Sequence, residues 1–214
     1  MKSSFNFFIN FNSLFSLFKD LSSYYGYMYW WPAETPLEVI EGAILAQNTT
    51  WKNAEASVKR LINIPFDKLL KIDEKELRTL IREAGFYSRK IEYIRNAISF
   101  YSNEIDNIPS FISIRDELLK IKGIGRETAD SIALYAFNQR TFPVDSYSIR
   151  FFNRYFSLNL GLKNYDDIRI TISGIFNSMM LMEFHALIVE HSKNYCRKIP
   201  KCEKCFLKEK CSNQ

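Results

Sequence analysis

The sequence has few residues that break helices, with only 7 glycines and 6 prolines among 214 residues. This scarcity disfavours long loops and sheets of many short strands, which need such residues at their turns. The chain also lacks a run of about 18 apolar residues, so we expect no transmembrane helix. No stretch alternates strictly between apolar and polar residues, as a half-buried strand would.

Apolar residues instead recur at helical spacing along most of the chain. Hydrophobic residues make up 47% of the sequence and aromatic residues 15%, which suits one large globular domain or two small ones. We predict an all-α protein of about ten short helices, interrupted near residues 48–50, Gly85 and Pro109. The periodic stretches are Leu37–Gln47, Asn53–Ile62, Glu74–Ala84, Ser88–Ser102, Asp116–Ile121, Thr128–Phe137, Ser146–Phe156, Asp166–Met179 and Leu181–His191.

The N-terminus looks superficially like a secretion signal. Polar residues interrupt its apolar run, and no small-residue cleavage site follows. The interrupting residues are Asn6, Asn10, Asn12 and Ser13. We therefore predict an amphipathic helix in this segment.

Cysteine is also scarce, and all four cysteines fall near the C-terminus, at Cys196, Cys202, Cys205 and Cys211. Four thiolates in one short segment can close around one metal centre. Zinc sites more often pair two short knuckles across a longer gap, whereas this segment has a single C-x2-C flanked by two five-residue gaps. The spacing favours a [4Fe–4S] cluster, with zinc, disulfides or free thiols as alternatives. Thiolate ligation also implies a reducing compartment.

The formal net charge of +5 permits a polyanionic partner without proving one. Most of this excess lies between Cys196 and Gln214, which contains six basic residues against two glutamates. A metal centre would hold this loop rigid, and rigid lysines lose less entropy when they meet a phosphate backbone. Lys201 and Lys204 are therefore candidate DNA-backbone contacts, although a basic loop is often only a solvated surface.

The segment Ile121–Asp130 contains two glycines between two amphipathic patterns. Glycine allows positive φ and close approach at such a turn, and the N-terminus of the following helix offers N–H groups to a phosphate. Lys122, Gly123, Gly125 and Arg126 are the candidate backbone contacts. The string matches a helix–hairpin–helix, a DNA-backbone clamp that does not read sequence, although a lone pair of glycines could mark an ordinary turn.

Asp145 follows an apolar stretch and precedes a helical pattern. Such an aspartate can simply cap the helix. It stands about twenty residues after the hairpin glycines.

The hairpin, the Val-Asp pair and the cysteine loop resemble, in order and spacing, the endonuclease III-like helix–hairpin–helix DNA glycosylases. The resemblance spans roughly Pro32 to Cys211. Three further segments resemble the family: Gly42–Thr49, Gly85–Lys90 and Phe184–Ile188. In the first of them, Gln47 matches a family residue that enters the DNA stack. One departure is the first cysteine gap, which has five residues here and usually six in the family.

The resemblance implies a two-lobed helical fold with a DNA groove between the lobes. One lobe would cover residues 32–143 with the hairpin, and the other residues 1–31 and 144–214 with the cluster loop, 196–211. A damaged base would leave the stack of double-stranded DNA and enter the groove. Asp145 matches the family's catalytic aspartate. The resemblance further implies a monomeric base-excision-repair enzyme without membrane contact, in the cytoplasm and nucleoid of a prokaryote.

Glu127 occupies the position at which bifunctional members have a lysine. A carboxylate cannot form the imine that such a lysine forms with the sugar. The resemblance therefore implies a monofunctional glycosylase without efficient strand cleavage.

Two aromatic segments, Tyr29–Pro32 and Gln47–Trp51, resemble the 3-methyladenine DNA glycosylases of this superfamily. N-alkylated purines carry positive charge, which indole rings attract through stacking and cation–π forces. Trp31 and Trp51 are the candidate base-pocket residues, beside Gln47 and Glu127, whereas Trp30 is a candidate core residue. Core packing is the alternative for all three tryptophans.

The two histidines, His185 and His191, show no ligand spacing, and we assign neither to catalysis. Other interpretations also remain. An endonuclease III-type glycosylase and lyase for oxidised pyrimidines could use another lysine. A non-catalytic DNA-binding module and a zinc-ribbon structural protein would need only the hairpin or the cysteine loop.

Overall fold

The computed structural model describes residues 9–103 and 113–212, and all regular secondary structure in these ranges is helical. The chain divides into a central unit, Trp31–Gln139, and a terminal unit, Met1–Trp30 together with Arg140–Gln214. The α-helices are α1 (Phe11–Tyr25), α2 (Pro36–Leu45), α3 (Trp51–Leu61), α4 (Phe66–Leu69), α5 (Glu74–Leu80), α6 (Tyr87–Asn103), α7 (Ile114–Leu118), α8 (Arg126–Phe137), α9 (Ser146–Tyr155), α10 (Tyr165–Ile175) and α11 (Ser178–Asn194).

Helix α2 is a core element of the central unit and packs against α3, α6 and α8. It begins where the hydroxyl of Thr35 accepts a hydrogen bond from the N–H of Glu38, with Pro36 in the first turn, where no N–H is needed. Every residue from Val39 to Leu45 is buried, so the second half of the helix is covered on all sides.

One of these buried residues is Glu41, which is only 1% exposed. Its Oε1 atom has no hydrogen-bond partner among the residues that the structure describes. Burial, with a smaller contribution from Glu38, raises the pKa of Glu41 to about 8. The carboxyl group is therefore mostly protonated at neutral pH.

Lys90 is also buried, and it joins the end of α2 to the turn before α6. Its Nζ atom donates hydrogen bonds to the carbonyl oxygens of Leu45, at 2.7 Å, and Ala84, at 2.8 Å. These residues end α2 and the 3₁₀ helix Arg82–Ala84, where carbonyl groups lack partners within the helix. Burial lowers the pKa of Lys90 to about 8. One lysine thus caps two helix ends.

In the terminal unit, α11 packs against α1, α9 and α10. Aromatic rings form much of this core, with neighbouring centroids 5.2–6.4 Å apart. Such spacing is typical of tilted and edge-to-face pairs in protein cores. The rings belong to Phe18, Phe142, Phe152, Phe176 and Phe184.

The prediction of an all-α protein is confirmed, but several helix limits are wrong. The pattern Asp166–Met179 is broken after Ile175, because Asn177 caps a new helix by accepting a hydrogen bond from the N–H of Met180 at 2.9 Å. The helix expected over Asp116–Ile121 is α7, which is shorter and starts earlier. Pro109 and the first eight residues of the predicted N-terminal helix lie outside the described residues.

Within residues 9–103 and 113–212, no helix combines the length and the apolar character that a membrane span requires.

Candidate functional site

The hairpin turn between α7 and α8 contains two glycines, and only one of the two positions requires glycine. Gly123 has φ +100°, and a β-carbon there would lie 2.1 Å from the ring of Tyr93. Gly125 has φ −88° and open space around it, and it serves as the N-cap of α8. The expectation of positive φ or close approach is therefore wrong for Gly125.

A buried ion pair connects the two helices of the hairpin. The Nε atom of Arg115 on α7 donates to Oδ1 of Asp130 on α8 at 2.6 Å, and both side chains are largely buried. The pair fixes α7 against α8 and thereby the turn between them.

The outer surface of the turn carries the predicted DNA contacts. Lys122, Gly125, Arg126 and Glu127 are all exposed. Lys122 forms an ion pair with Glu92 at 2.6 Å. Helix α8 has 12 residues, and the first N–H groups of a helix have no intrahelical acceptor, which makes this end attractive to a phosphate.

Gln47, just beyond α2, contacts the hairpin directly. Its Nε2 atom donates to the carbonyl oxygen of Gly123 at 2.9 Å and lies 3.1 Å from Oγ1 of Thr128. The structure thus brings together a side chain and a turn that are more than seventy residues apart in sequence.

Trp31 and Trp51 lie together in the central unit, with ring centroids 5.8 Å apart. Tyr135 on α8 joins them, and its ring centroid is 4.8 Å from that of Trp31. We call these three residues the aromatic group. Both tryptophans pack against the core but are only partly buried. Gly42 on α2 faces them, and a β-carbon there would lie 3.4 Å from Trp51 and 3.6 Å from Trp31.

Asp145 is the N-cap of α9 in the terminal unit. Its Oδ1 atom accepts a hydrogen bond from the N–H of Ser148 at 2.6 Å. Its Oδ2 atom lies 3.5 Å from Nε2 of His185 on α11. Burial alone raises the pKa of Asp145, but the contacts with His185 and Ser148 outweigh it and lower the pKa below the ordinary value. The group is therefore a carboxylate at neutral pH.

The four cysteines line one pocket, and no disulfide joins any of them. Nη1 of Arg154 lies 3.5 Å from Sγ of Cys196, and Nε2 of His191 lies 3.5 Å from Sγ of Cys205. As placed, no three His, Cys, Asp or Glu side chains among the described residues form a site for one metal ion. The remaining walls include the largely apolar side chains Phe151, Tyr155 and Leu207.

The basic residues around this pocket are not equivalent. Lys208 pairs with Glu203 at 2.9 Å, and Lys210 pairs with Asp20 of α1 at 2.7 Å. Lys201 and Lys204 are exposed, and neither forms an ion pair with any residue in the described parts of the chain. Fewer positive charges are therefore available to bind DNA than the sequence count suggests. Lys201 and Lys204 are among those that remain available.

Comparison with known proteins agrees with the hairpin and its surroundings. The model of the HhH-GPD superfamily of base excision DNA repair proteins matches residues 42–176, more than half of the chain. The chain belongs to this superfamily.

Three HhH-GPD relatives bear on its function. A protein of Methanocaldococcus jannaschii, provisionally described as the DNA repair glycosylase MJ1434, is 41% identical over 94% of this chain and 96% of its own length. Endonuclease III of Sulfolobus acidocaldarius is 33% identical over 80% of this chain and 79% of its own. The crystal structure of 3-methyladenine DNA glycosylase from H. pylori, bound to 1,N6-ethenoadenine, superposes with a TM-score of 0.69 and 26% identity, over 86% and 95% of the two chains.

Sequence reasoning about this HhH-GPD protein missed four residues near the candidate sites. Tyr135 completes the aromatic group, His185 faces Asp145, and Arg154 and His191 face the thiols. Helical periodicity could have placed Tyr135 on α8. The other three depend on contacts between residues at least fourteen positions apart, which no local pattern reports.

Proposed function

We propose that this chain is a monofunctional DNA glycosylase that removes alkylated purines of the 3-methyladenine type by hydrolysis. The observation that carries the substrate assignment is the aromatic group, in which Trp31, Trp51 and Tyr135 lie side by side. A purine alkylated on a ring nitrogen carries delocalised positive charge. The face of a tryptophan or tyrosine ring attracts such a cation by about 1–2 kcal/mol.

The proposed chemistry assigns the reaction to Asp145. As the base leaves, the sugar develops positive charge, which a nearby carboxylate can stabilise, and the same carboxylate can activate water. The lowered pKa of Asp145 keeps it ionised for this role. An alkylated purine is already a good leaving group because of its charge, so the reaction has little need for a strong general acid.

The assignment as monofunctional depends on Glu127. This exposed residue of the hairpin stands where bifunctional members have the lysine that attacks the sugar. A carboxylate cannot form an imine. Lys122, the lysine within the segment Ile121–Asp130, forms an ion pair with Glu92.

Similarity to the H. pylori 3-methyladenine DNA glycosylase supports the same substrate class. That structure holds an ethenoadenine, an adenine enlarged by a bridge between N1 and the exocyclic N6, and aromatic rings can stack on such a base.

The deciding experiment is base release from duplexes that each carry one lesion: a stable 3-methyladenine analogue, 7-methylguanine, thymine glycol or uracil. We expect release of the alkylated purine, with strand breaks only after hot alkali. Borohydride should trap no covalent complex with abasic DNA, because only an imine can be trapped. Binding to every duplex without release from any would instead identify a non-catalytic DNA-binding protein.

The second candidate is an endonuclease III-type glycosylase and lyase for oxidised pyrimidines. The 33% identity to endonuclease III of Sulfolobus acidocaldarius favours it. It predicts release of thymine glycol, direct strand cleavage and a borohydride-trapped complex. Because position 127 is a glutamate, a lysine elsewhere in the chain would form that complex.

We also propose that the thiol pocket holds a [4Fe–4S] cluster, with Cys196, Cys202, Cys205 and Cys211 as its ligands. One zinc ion would need the four sulfurs about 4 Å apart. The thiols share a pocket but do not form a site for one ion, whereas a bulkier cluster lets its ligands stand further apart. Apolar walls and the guanidinium of Arg154 suit a cluster with negatively charged ligands. The bound cluster would hold the basic loop rigid.

Replacing Cys205 with serine should remove the cluster, because a serine hydroxyl is a poor substitute for a thiolate. The purified wild-type protein is expected to be brown, to absorb near ~400 nm and to contain iron, and the variant to lose both the absorbance and the iron. Iron and zinc analysis of the two proteins decides between the metals. A colourless wild-type protein with one zinc would contradict the proposal.

Lys201→Ala and Lys204→Ala should each weaken binding to all DNA sequences alike and reduce the slope of log affinity against log salt by about one. The reason is that each free lysine would release a counterion from the DNA. The matched controls are Lys208→Ala and Lys210→Ala, whose ammonium groups are already paired with Glu203 and Asp20. Equal slopes for all four variants would remove Lys201 and Lys204 from the DNA contact.

A further inference from the structure

The second oxygen of the Asp145 carboxylate has a partner that capping alone does not require. Oδ1 is held by the N–H of Ser148, which is the ordinary contact of an N-cap. Oδ2 faces Nε2 of His185 at 3.5 Å, a contact made from a different helix. Among the described residues, Ser148 and His185 are the groups that hold this carboxylate.

The imidazole of His185 is itself held in place. It is 4% exposed. The rings of Trp30 and Phe142 lie nearly perpendicular to it, with centroids 5.4 Å and 5.8 Å away. These edge contacts come from the segment before α2 and from the segment before α9, so the imidazole of α11 is held between two other parts of the terminal unit. Rotation of the ring would disturb both contacts.

We propose that His185 is a positioning residue that orients the Asp145 carboxylate for base release and keeps it ionised. The inference rests on the proposed function, in which Asp145 performs the reaction. Oδ1 accepts the hydrogen bond from the backbone of Ser148, and Oδ2 makes an electrostatic contact with the imidazole, so the two contacts together favour one orientation of the carboxylate. When Nε2 carries a proton, its positive end faces Oδ2 and favours the charged form of the acid.

The surroundings make this contact effective. The side chains of His185 and Asp145 are 5% and 13% exposed, so water screens the interaction little. The burial that would otherwise raise the pKa of Asp145 is offset by His185 together with Ser148. The rings facing His185 from the other elements, Trp30 and Phe142, are uncharged. His185 is thus the titratable group that faces Asp145 among the described residues.

The test compares His185→Leu, which removes the donor and fills the space, with His185→Gln, whose amide N–H can occupy the position of Nε2. Single-turnover base release is measured from pH 4 to pH 9. For His185→Leu we expect a rate about tenfold lower at neutral pH and an acidic limb shifted upward by about one pH unit. His185→Gln should restore most of the rate, and both variants should bind abasic-site DNA as the wild type does.

A second measurement does not depend on turnover. The ¹³C signal of the Asp145 carboxyl carbon, identified by its absence in Asp145→Asn, is titrated by NMR in the wild type and both variants. We expect a higher pKa in His185→Leu. An unchanged titration, with an unchanged acidic limb, would overturn the positioning role. If the titration shifts but the wild-type protein releases no base, the contact is real and the proposed function is the part that fails.

Discussion

Asp145→Asn should reduce the rate of base release by about 10²–10⁴-fold, the range expected when a catalytic carboxylate is neutralised. The structure makes this a clean substitution. Asparagine is as good an N-cap as aspartate, and its Oδ1 can still accept the hydrogen bond from Ser148 that begins α9. The fold and the affinity for abasic DNA should therefore change little, while the negative charge is lost. Single-turnover base release and DNA binding measure the two effects separately.

Asp73→Asn is the matched control for this variant. Asp73 caps α5 in the same manner, accepting a hydrogen bond from the N–H of Glu76 at 2.8 Å. It should release base at the wild-type rate. If Asp145→Asn stays within threefold of the wild type, the carboxylate does not perform the chemistry, and its role is limited to capping the helix.

Glu41→Gln should make the protein more stable at neutral and alkaline pH and change its stability little at pH 5. In the folded chain the pKa of Glu41 is about 8, against an ordinary value of 4.5. At a pH between these two pKa values, Glu41 has lost its proton in the unfolded chain and keeps it in the folded chain. The free energy of unfolding therefore falls as pH rises through this window, by about 1.4 kcal/mol per pH unit, and this contribution levels off above pH 8.

Glutamine has a similar shape and no ionisable group, so the free energy of unfolding of the variant does not fall with pH in this way. The expected gain is about 3 kcal/mol at pH 7 and about 5 kcal/mol at pH 9, a large part of the stability of an ordinary domain. Urea unfolding followed by circular dichroism at pH 5, 7 and 9 measures it. Glu76→Gln, on an exposed surface of α5, is the control and should show no such pH-dependent gain. A gain equally large at pH 5 would mean that packing, and not the ionisation of Glu41, is the cause.

Local patterns were sufficient for much of the helical structure. The 3.6-residue periodicity identified most of the helices, because each must place an apolar face against a core. The two glycines marked the hairpin, but only the contact with Tyr93 in the structure shows that Gly123, and not Gly125, must be glycine. The boundary at Asn177 was missed, because apolar residues continue at helical spacing across it while one side chain caps the next helix.

Charge was harder to predict than helices. The sequence count treats all six basic residues of the cysteine loop alike, yet Lys210 is neutralised by Asp20 of α1, at the other end of the chain. The charge of Glu41 was equally hard to predict, because this acid is mostly uncharged at neutral pH. It is one glutamate in an amphipathic pattern, and only the packing of α2 against three other helices makes it a buried acid.

By itself, the sequence determined the helical class, the hairpin, the capping aspartate and the four thiols, because each depends on residue types at short, fixed spacing. The tertiary structure decided which groups act together. It placed His185 against Asp145, Tyr135 beside Trp31 and Trp51, and Gln47 on the hairpin. These contacts join residues far apart in the chain, so they depend on how helices pack, and helix packing is set by the whole core and by no single segment.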